Sequence, residues 1–168
     1  SEITVSSIFE HVGEEPELTR LGLLLANPKL HLMCCSLANL SASLSLRHQL
    51  ENIDLVAHLG LHVPDSHSFG EQCRDDISLN LLPTVDLIQS LGDSVQGICF
   101  ASSVAVYGCP NRLPVREDDL PFPISSYAVT KLAIEHYLRA YGHAKKIPVT
   151  ILRYATVYGP GEFRHRAI

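Results

Sequence analysis

Short apolar runs alternate with longer segments of helical spacing along nearly the whole chain, and that order most restricts its fold. Residues 3–9, 30–34, 53–59, 95–101 and 148–154 have the length and apolar content of strands. The run at 53–59 is what a strand buried on both faces of a parallel sheet looks like. Between the runs, 41–50 has helical spacing at Leu44, Leu46 and Leu50. Residues 71–91 place Ile77, Leu81, Leu82, Val85, Ile88 and Leu91 on one helical face, and 125–143 reads as a third helix. Pro83 lies inside the second of these, so a kink or break is expected there. Residues 60–70, rich in His, Pro, Asp and Ser, read as loop, as does the Pro-rich acidic stretch 107–123. Strand and helix in alternation predict an α/β fold, a parallel sheet flanked by helices.

The chain has 168 residues, enough for one domain, and 46% of them are hydrophobic, which can supply its core. A formal charge of −5 with no basic run leaves nothing to track phosphates, so no nucleic-acid partner is expected. Arg164, His165 and Arg166 are the sole local basic patch. No apolar stretch has the length of a membrane span and no signal-peptide order opens the sequence, so no membrane partner is expected either. Cysteines 34, 35, 73, 99 and 109 are odd in number and lack metal-ligand spacing; adjacent Cys34 and Cys35 are poorly placed to bond each other. They read as reduced thiols of a cytoplasmic protein, with Cys99 in a strand.

The chemistry sits on Tyr127 and Lys131, four residues apart and therefore on one face of the third helix. A tyrosine with its ordinary pKa of about 10 is a poor base at neutral pH. A neighbouring ammonium favours the phenolate and would make the hydroxyl usable as an acid/base. Ser103 follows the 95–101 strand, and in open parallel sheets the C-terminal strand ends line the ligand crevice. A serine hydroxyl there can bond a substrate oxygen while the tyrosine moves its proton.

The neighbouring motifs give these residues a family resemblance. Phe100-Ala-Ser-Ser-Val-Ala-Val-Tyr-Gly108 resembles the Ser-Ser-x-x-Val-Tyr-Gly motif of extended short-chain dehydrogenases/reductases. Ser125-Ser-Tyr-Ala-Val-Thr-Lys-Leu-Ala-Ile-Glu135 is similar to that family's Ser-x-Tyr-x-x-Ser-Lys-x-x-x-Glu helix. Leu152-Arg-Tyr-Ala-Thr-Val-Tyr-Gly-Pro160 is similar to its Leu-Arg-x-x-x-Val-Tyr-Gly-Pro segment, and Asp54-Leu-Val-Ala-His-Leu-Gly60 to its Asp-x-Val-x-His-Leu-Ala strand. Asn80 matches a helix asparagine of the family. From residue 54 to 160 the motifs run in the family's order, and the chain resembles the NAD-dependent epimerase/dehydratase branch.

That resemblance implies a Rossmann-like sheet and NAD, with NADP less favoured. It implies Ser103, Tyr127 and Lys131 as catalytic: Tyr127 as acid/base, Lys131 as its pKa partner and nicotinamide-ribose ligand, Ser103 as the contact to a substrate oxygen. It implies cofactor contacts from Glu10, His58, Gly60 and Asn80 as well as Tyr127 and Lys131, and substrate contacts from Ser103, Val104 and Thr156. A carboxylate at Glu10 would repel a 2′-phosphate. Ser36 stands where an Asp often lies near the adenine. The implied reaction is epimerisation of a nucleotide-sugar through a transient ketone; keto-reductase or dehydrogenase turnover, or a non-catalytic interaction module, are the alternatives. Dehydratases carry an Asp-Glu pair where this chain has Val104 and Ala105, which cannot transfer protons. Thr156 stands where such epimerases often have Asn, keeping one hydroxyl but no amide. His58, His62 and His67 surround Pro64 with no completing cysteine or carboxylate, so no metal is expected. The family often pairs the helices at 71–91 and 125–143 across a homodimer.

None of the ten glycines forms a G-x-x-G-x-x-G turn after a strand. If 3–9 is the family's second strand, the central first strand and the phosphate-binding helix N-terminus are not in these residues. The expectation is a single Rossmann-like NAD(P)-binding domain over 1–168, incomplete at both ends: a fragment or a degenerate member, binding NAD weakly if at all. Without its central strand the sheet is expected either as two fragments or with a non-native pairing.

Overall fold

A computed structural model of the chain describes residues 3–7, 30–34, 48, 50–60 and 69–158. Its strands are β1 (Ile3–Ser7), β2 (Leu30–Cys34), β3 (Leu55–His58), β4 (Gly97–Ser103) and β5 (Val149–Tyr154). Its helices are α1 (Phe69–Asp75), α2 (Leu82–Ser90) and α3 (Ser126–Lys145), with a π-helical turn at Asp76–Leu81 and a 3₁₀ turn at Val104–Tyr107. All five expected strands are present, each within two residues of the expected bounds at either end. Residues 48 and 50 are helical, as the spacing of 41–50 predicts. The loop expected at 60–70 lies mostly outside the described residues.

The strands form two sheets, both wholly parallel. β1 pairs β2 from Ile3↔Leu30 to Ser7↔Cys34. β4 is central in the other sheet, in the order β3-β4-β5, with Val56↔Ile98 on one side and Ile98↔Val149 on the other. Two sheet fragments are therefore what forms, rather than a non-native pairing. The chain divides into two compact units: residues 1–37 with 156–168, and residues 38–155. The candidate catalytic residues all lie in the second.

In that unit β4 is the buried strand: Ile98 and Phe100 are core, joined by Val95, Val106, Leu87, Ile88, Ala128, Ile134 and Leu138. Helix α3 lies on β4 and turns tightly into β5. A Cβ at Gly142 would stand 2.5 Å from Val149 Cγ2 and 2.9 Å from the Ile147 carbonyl, so only glycine lets the helix end pack against the strand. Ser125 caps α3, its hydroxyl accepting from Ala128 N–H at 3.2 Å.

The expected helix at 71–91 differs from a regular one. Pro83 has no N–H, and the turn before it widens: Leu82 N–H bonds the Ile77 carbonyl, five residues back. The extra residue turns the following helix about its axis, and the apolar face read from sequence is split. Ile77 and Leu82 are exposed, while Asp76, Asn80, Thr84, Leu87 and Ile88 make the buried stripe. A polar stripe thus faces the interior where apolar residues were expected.

Candidate active site

Ser103 is the last residue of β4 and the N-cap of the 3₁₀ turn, its Oγ accepting from Ala105 N–H at 3.2 Å. Tyr127 and Lys131 stand in the first turns of α3, and the Ser103 side chain lies near enough to Tyr127 to lower the pKa of its hydroxyl. Lys131 is 4% exposed; its ammonium donates to the Ala101 carbonyl and lies 5.6 Å from the Tyr127 ring centroid and 5.0 Å from that of Phe100. The three residues expected to be catalytic therefore come together at the C-terminal end of β4.

The electrostatics differ from expectation. Tyr127's hydroxyl is shifted up from its ordinary value of 10.0, by burial first; the Ser103 hydrogen bond pulls it down and the charge of Asp76 pushes it up. The Lys131 ammonium donates to the Ala101 carbonyl, and the causes of the Tyr127 shift are burial, Ser103 and Asp76. Burial lowers Lys131 itself to about 8, with Glu135 pulling the other way. The resting state is a protonated phenol above a lysine that is readier than usual to lose its proton.

His58 ends β3 and is buried. Thr84's hydroxyl proton goes to the Asn80 carbonyl at 2.7 Å, so its oxygen accepts from His58 Nε2–H at 3.0 Å. Burial, followed by the charge of Lys131, holds this imidazole down at about 4, and the hydrogen bond fixes its proton on Nε2. Asn80 is buried too and donates from Nδ2 to Asp76 Oδ1 at 3.2 Å. Gly60 is exposed just beyond β3, and a Cβ there would meet nothing within 4 Å. Val104, 44% exposed, follows Ser103 directly. Thr156 is exposed past the end of β5 and belongs to the other compact unit. Glu10, Ser36, His62 and His67 lie outside the described residues.

Two features take no role in the sequence-based expectations, although Glu135, Arg153 and Tyr107 stand in the motifs that carry the resemblance. One is Asp76, a buried carboxylate whose charge reaches Tyr127. The other is the joint around Glu135, fully buried one turn beyond Lys131. Glu135 accepts from Ser102 Oγ at 2.6 Å and from Arg153 Nε and Nη2 at 3.0 and 2.7 Å, while Arg153 Nη1 donates to Tyr107 Oη at 2.7 Å. It ties α3, β4, the 3₁₀ turn and β5 together beside Ser103. A signal for both existed: each stands four residues from a residue already singled out, Asn80 or Lys131. Among the described residues no group of three or more His, Cys, Asp or Glu could hold a metal ion, and no helix is long and apolar enough to cross a membrane.

Comparison with known proteins bears on this geometry. The model of the NAD dependent epimerase/dehydratase family matches residues 13–168. The UDP-glucose 4-epimerase of Lactobacillus helveticus is 35% identical over 112 residues, 65% of this chain and 33% of that protein. The crystal structure of UDP-glucuronic acid 4-epimerase from Bacillus cereus in complex with NAD superposes with a TM-score of 0.77 at 28% identity, over 96% of this chain and 50% of that one. MoeE5 in complex with UDP-glucose and NAD gives 0.71 at 30% identity, over 98% of this chain and 57% of that one. The chain spans about a third of the length of the curated relatives it matches.

Proposed function

The chain belongs to the NAD-dependent epimerase/dehydratase family, and from that premise we propose that the protein epimerises a nucleotide-sugar with NAD, using Tyr127 as its acid/base. The observation that carries this reading is the gathering of Ser103, Tyr127 and Lys131 at the end of β4, with Ser103 acting on the Tyr127 hydroxyl and the buried Lys131 ammonium 5.6 Å from the Tyr127 ring centroid. Ser103 holds the reacting hydroxyl of the sugar; Tyr127 takes its proton as the ketone forms and returns it when the opposite epimer is made. Val104 and Ala105 offer no second proton carrier beside Ser103, which favours epimerisation over water elimination. A UDP-sugar is the substrate class bound by the similar solved structures.

The chain's own residues fit the nicotinamide end of NAD. Lys131 uses one of its three ammonium N–H groups on Ala101 and has two for ribose hydroxyls. Neutral His58 and the uncovered backbone at Gly60 leave the end of β3 approachable by a flat ring. NAD, when bound, supplies the hydride acceptor and donor. Glu10, Asn80 and Thr156 complete the proposed contacts, Glu10 at the adenosine ribose and favouring NAD over NADP, Asn80 by fixing the wall behind the cofactor, Thr156 at the substrate diphosphate. We read residues 1–168 as one partial NAD(P)-binding domain, supported by a family match that runs through both compact units. Cys73, Cys99 and Cys109 are free thiols, which supports a reducing, cytoplasmic setting. A homodimer through residues 71–91 and 125–143 is supported by the apolar side chains exposed there.

A second reading, net keto-reduction, is favoured by one observation: a phenol shifted above its ordinary value is in the form that donates to a carbonyl. Incubation with NAD and UDP-glucose or UDP-glucuronic acid separates the two. Epimer detected by NMR without net NADH, and lost at least about a hundredfold in Tyr127→Phe, supports epimerisation. Stoichiometric change in NADH absorbance supports the second reading, and no turnover with either sugar refutes the first for these substrates.

A further inference from the structure

Side chains from four elements meet at one carboxylate beside the candidate site. Glu135 of α3 is 0% exposed and both its oxygens are bonded, unlike Asp76, whose Oδ2 has no hydrogen-bond partner. Arg153 of β5 grips it through Nε and Nη2 at 3.0 and 2.7 Å, a two-pronged contact that fixes the guanidinium plane. The third nitrogen, Nη1, donates to Tyr107 Oη at 2.7 Å, and the guanidinium carbon lies 4.8 Å from the centroid of that ring. Ser102 stands opposite Arg153 in the β4–β5 register and donates to Glu135 Oε1 at 2.6 Å. Arg139, half-exposed, reaches the same carboxylate only at 3.6 Å. Replacing a buried ion pair by apolar residues of like volume is often neutral or stabilising, so net stability alone does not account for this one. What it supplies, and apolar contacts do not, is fixed direction.

Each member of the joint is a short step along the chain from the candidate site. Ser102 directly precedes Ser103, and Tyr107 ends the 3₁₀ turn that Ser103 caps. Glu135 lies one turn beyond Lys131, itself one turn beyond Tyr127. Lys131 bonds the Ala101 carbonyl and Glu135 the Ser102 hydroxyl, so successive residues of β4 are held by successive turns of α3. Arg153 reaches both sides at once, the Tyr127 helix through Glu135 and the Ser103 turn through Tyr107. We propose that Arg153 is a positioning residue of the active centre, whose guanidinium sets the spacing of Ser103 and Tyr127 by clamping Glu135 and Tyr107 together. Passing a proton from a sugar hydroxyl to Tyr127 while Ser103 holds that hydroxyl needs both groups within about 2.6–3.2 Å of one oxygen. A loosened clamp therefore slows the step without removing a reacting group. Lysine keeps the charge but has no planar fork to serve Glu135 and Tyr107 in fixed directions. This role rests on the reading of Ser103 and Tyr127 as the reacting pair of an epimerase.

Two variants test it: Arg153→Lys keeps the charge and loses the fork, and Tyr107→Phe loses one hydrogen bond and keeps the ring. In the NMR epimer assay with UDP-glucose or UDP-glucuronic acid, kcat should fall about ten- to a hundredfold in Arg153→Lys and by less in Tyr107→Phe. KM should stay within about twofold of its starting value in both. Full kcat in Arg153→Lys would show that charge alone suffices and overturn the proposal, as would a raised KM with kcat unchanged. The second readout needs no turnover: ring ¹³C NMR of the tyrosines, with Tyr107 and Tyr127 identified among the six by their Phe variants. The Tyr127 signal should move in both variants, although the hydrogen bonds lost are those of Arg153, while Tyr141 at the far end of α3 stays in place. A Tyr127 signal that does not move in the folded variants overturns the proposal, whatever the rates. So does movement of Tyr141 along with it, or the failure of both variants to fold, which would make Arg153 a folding determinant instead. If the unsubstituted protein turns over neither sugar while Tyr127 moves as expected, the clamp stands and the epimerase reading falls.

Discussion

Glu135, one turn beyond Lys131 on α3, and Asp76, on the π turn packed against that helix, are both buried carboxylates, and their surroundings make them opposites. Burial pushes Glu135 up, but hydrogen bonds from Arg153 and Ser102 outweigh it and hold it below the usual carboxylate range. Removing Arg153 while keeping Glu135 leaves a buried charge with Ser102 and the half-exposed Arg139, 3.6 Å away, as its partners. Arg153→Met is therefore expected to cost about 3–5 kcal/mol in urea denaturation, well beyond the loss of an exposed ion pair. The pH dependence has a definite sign. Because the folded-state value lies below the ordinary 4.5, Glu135's contribution is fully present above pH 4.5 and is lost as pH falls through the folded value. Glu135→Gln should lower stability at neutral pH and flatten the acid limb; an acid limb as steep as before would show that other carboxylates carry it. Sequence could point to Tyr127, Lys131 and Ser103 because their chemistry needs a fixed spacing and a strand end. It could not rank Glu135 or Asp76, because a carboxylate on a helix is usually solvated and only packing decides otherwise.

At the level of elements, the strands were legible and the helix faces less so. A parallel strand buried on both sides must be nearly all apolar, and β4 announces itself that way; β3, expected to be buried likewise, is the edge of its sheet and leaves Leu55 and Ala57 exposed. The 71–91 helix illustrates the opposite case. Its apolar residues fit one α-helical face, yet a single added residue in the turn before Pro83 changes the angle of everything after it. Periodicity is blind to one residue of slip, and Pro83 signals that a break occurs without saying which residues it turns inward. Helix α3 was read nearly to its ends because Ser125 caps its start. At its other end Lys146 takes φ 57° and ψ 38°, a left-handed conformation that ordinary side chains resist and glycine accepts. Its N–H closes the helix onto the Gly142 and His143 carbonyls, so the conformation is fixed by the cap. Lys146→Gly is expected to stabilise the fold by up to about 1 kcal/mol, the relief exceeding the added freedom of the unfolded chain. A lower denaturation midpoint would mean that the lysine side chain contributes more than its backbone costs.

For the molecule as a whole, the alternation of strand and helix predicted the parallel α/β class, while the resemblance left two sheet fragments and a non-native pairing both open, and the two fragments are what forms. Which surfaces then remain uncovered follows from packing. In the unit that holds the candidate active site, Ile77, Leu79 and Leu82 of the π turn and α2 are 42–53% exposed, and so are Val129 and Tyr137 of α3. They lie on helices that already pack on each other along the buried stripe from Asp76 to Ile88, so their exposure is the outward counterpart of that contact. Apolar side chains gathered on adjoining helices suit a self-complementary contact about a two-fold axis, since one face can serve both partners. A homodimer of this chain would sediment at twice 18.5 kDa. Charges placed at the middle of such a face desolvate on association without partners, and each opposes it. The double variant Ile77→Glu/Leu82→Glu should sediment as a monomer with its circular dichroism unchanged, because both side chains are exposed within the protomer. Dimers that persist in the double variant would place the contact elsewhere, and a monomer already present in the unsubstituted protein at micromolar concentration would remove this face as a dimer surface.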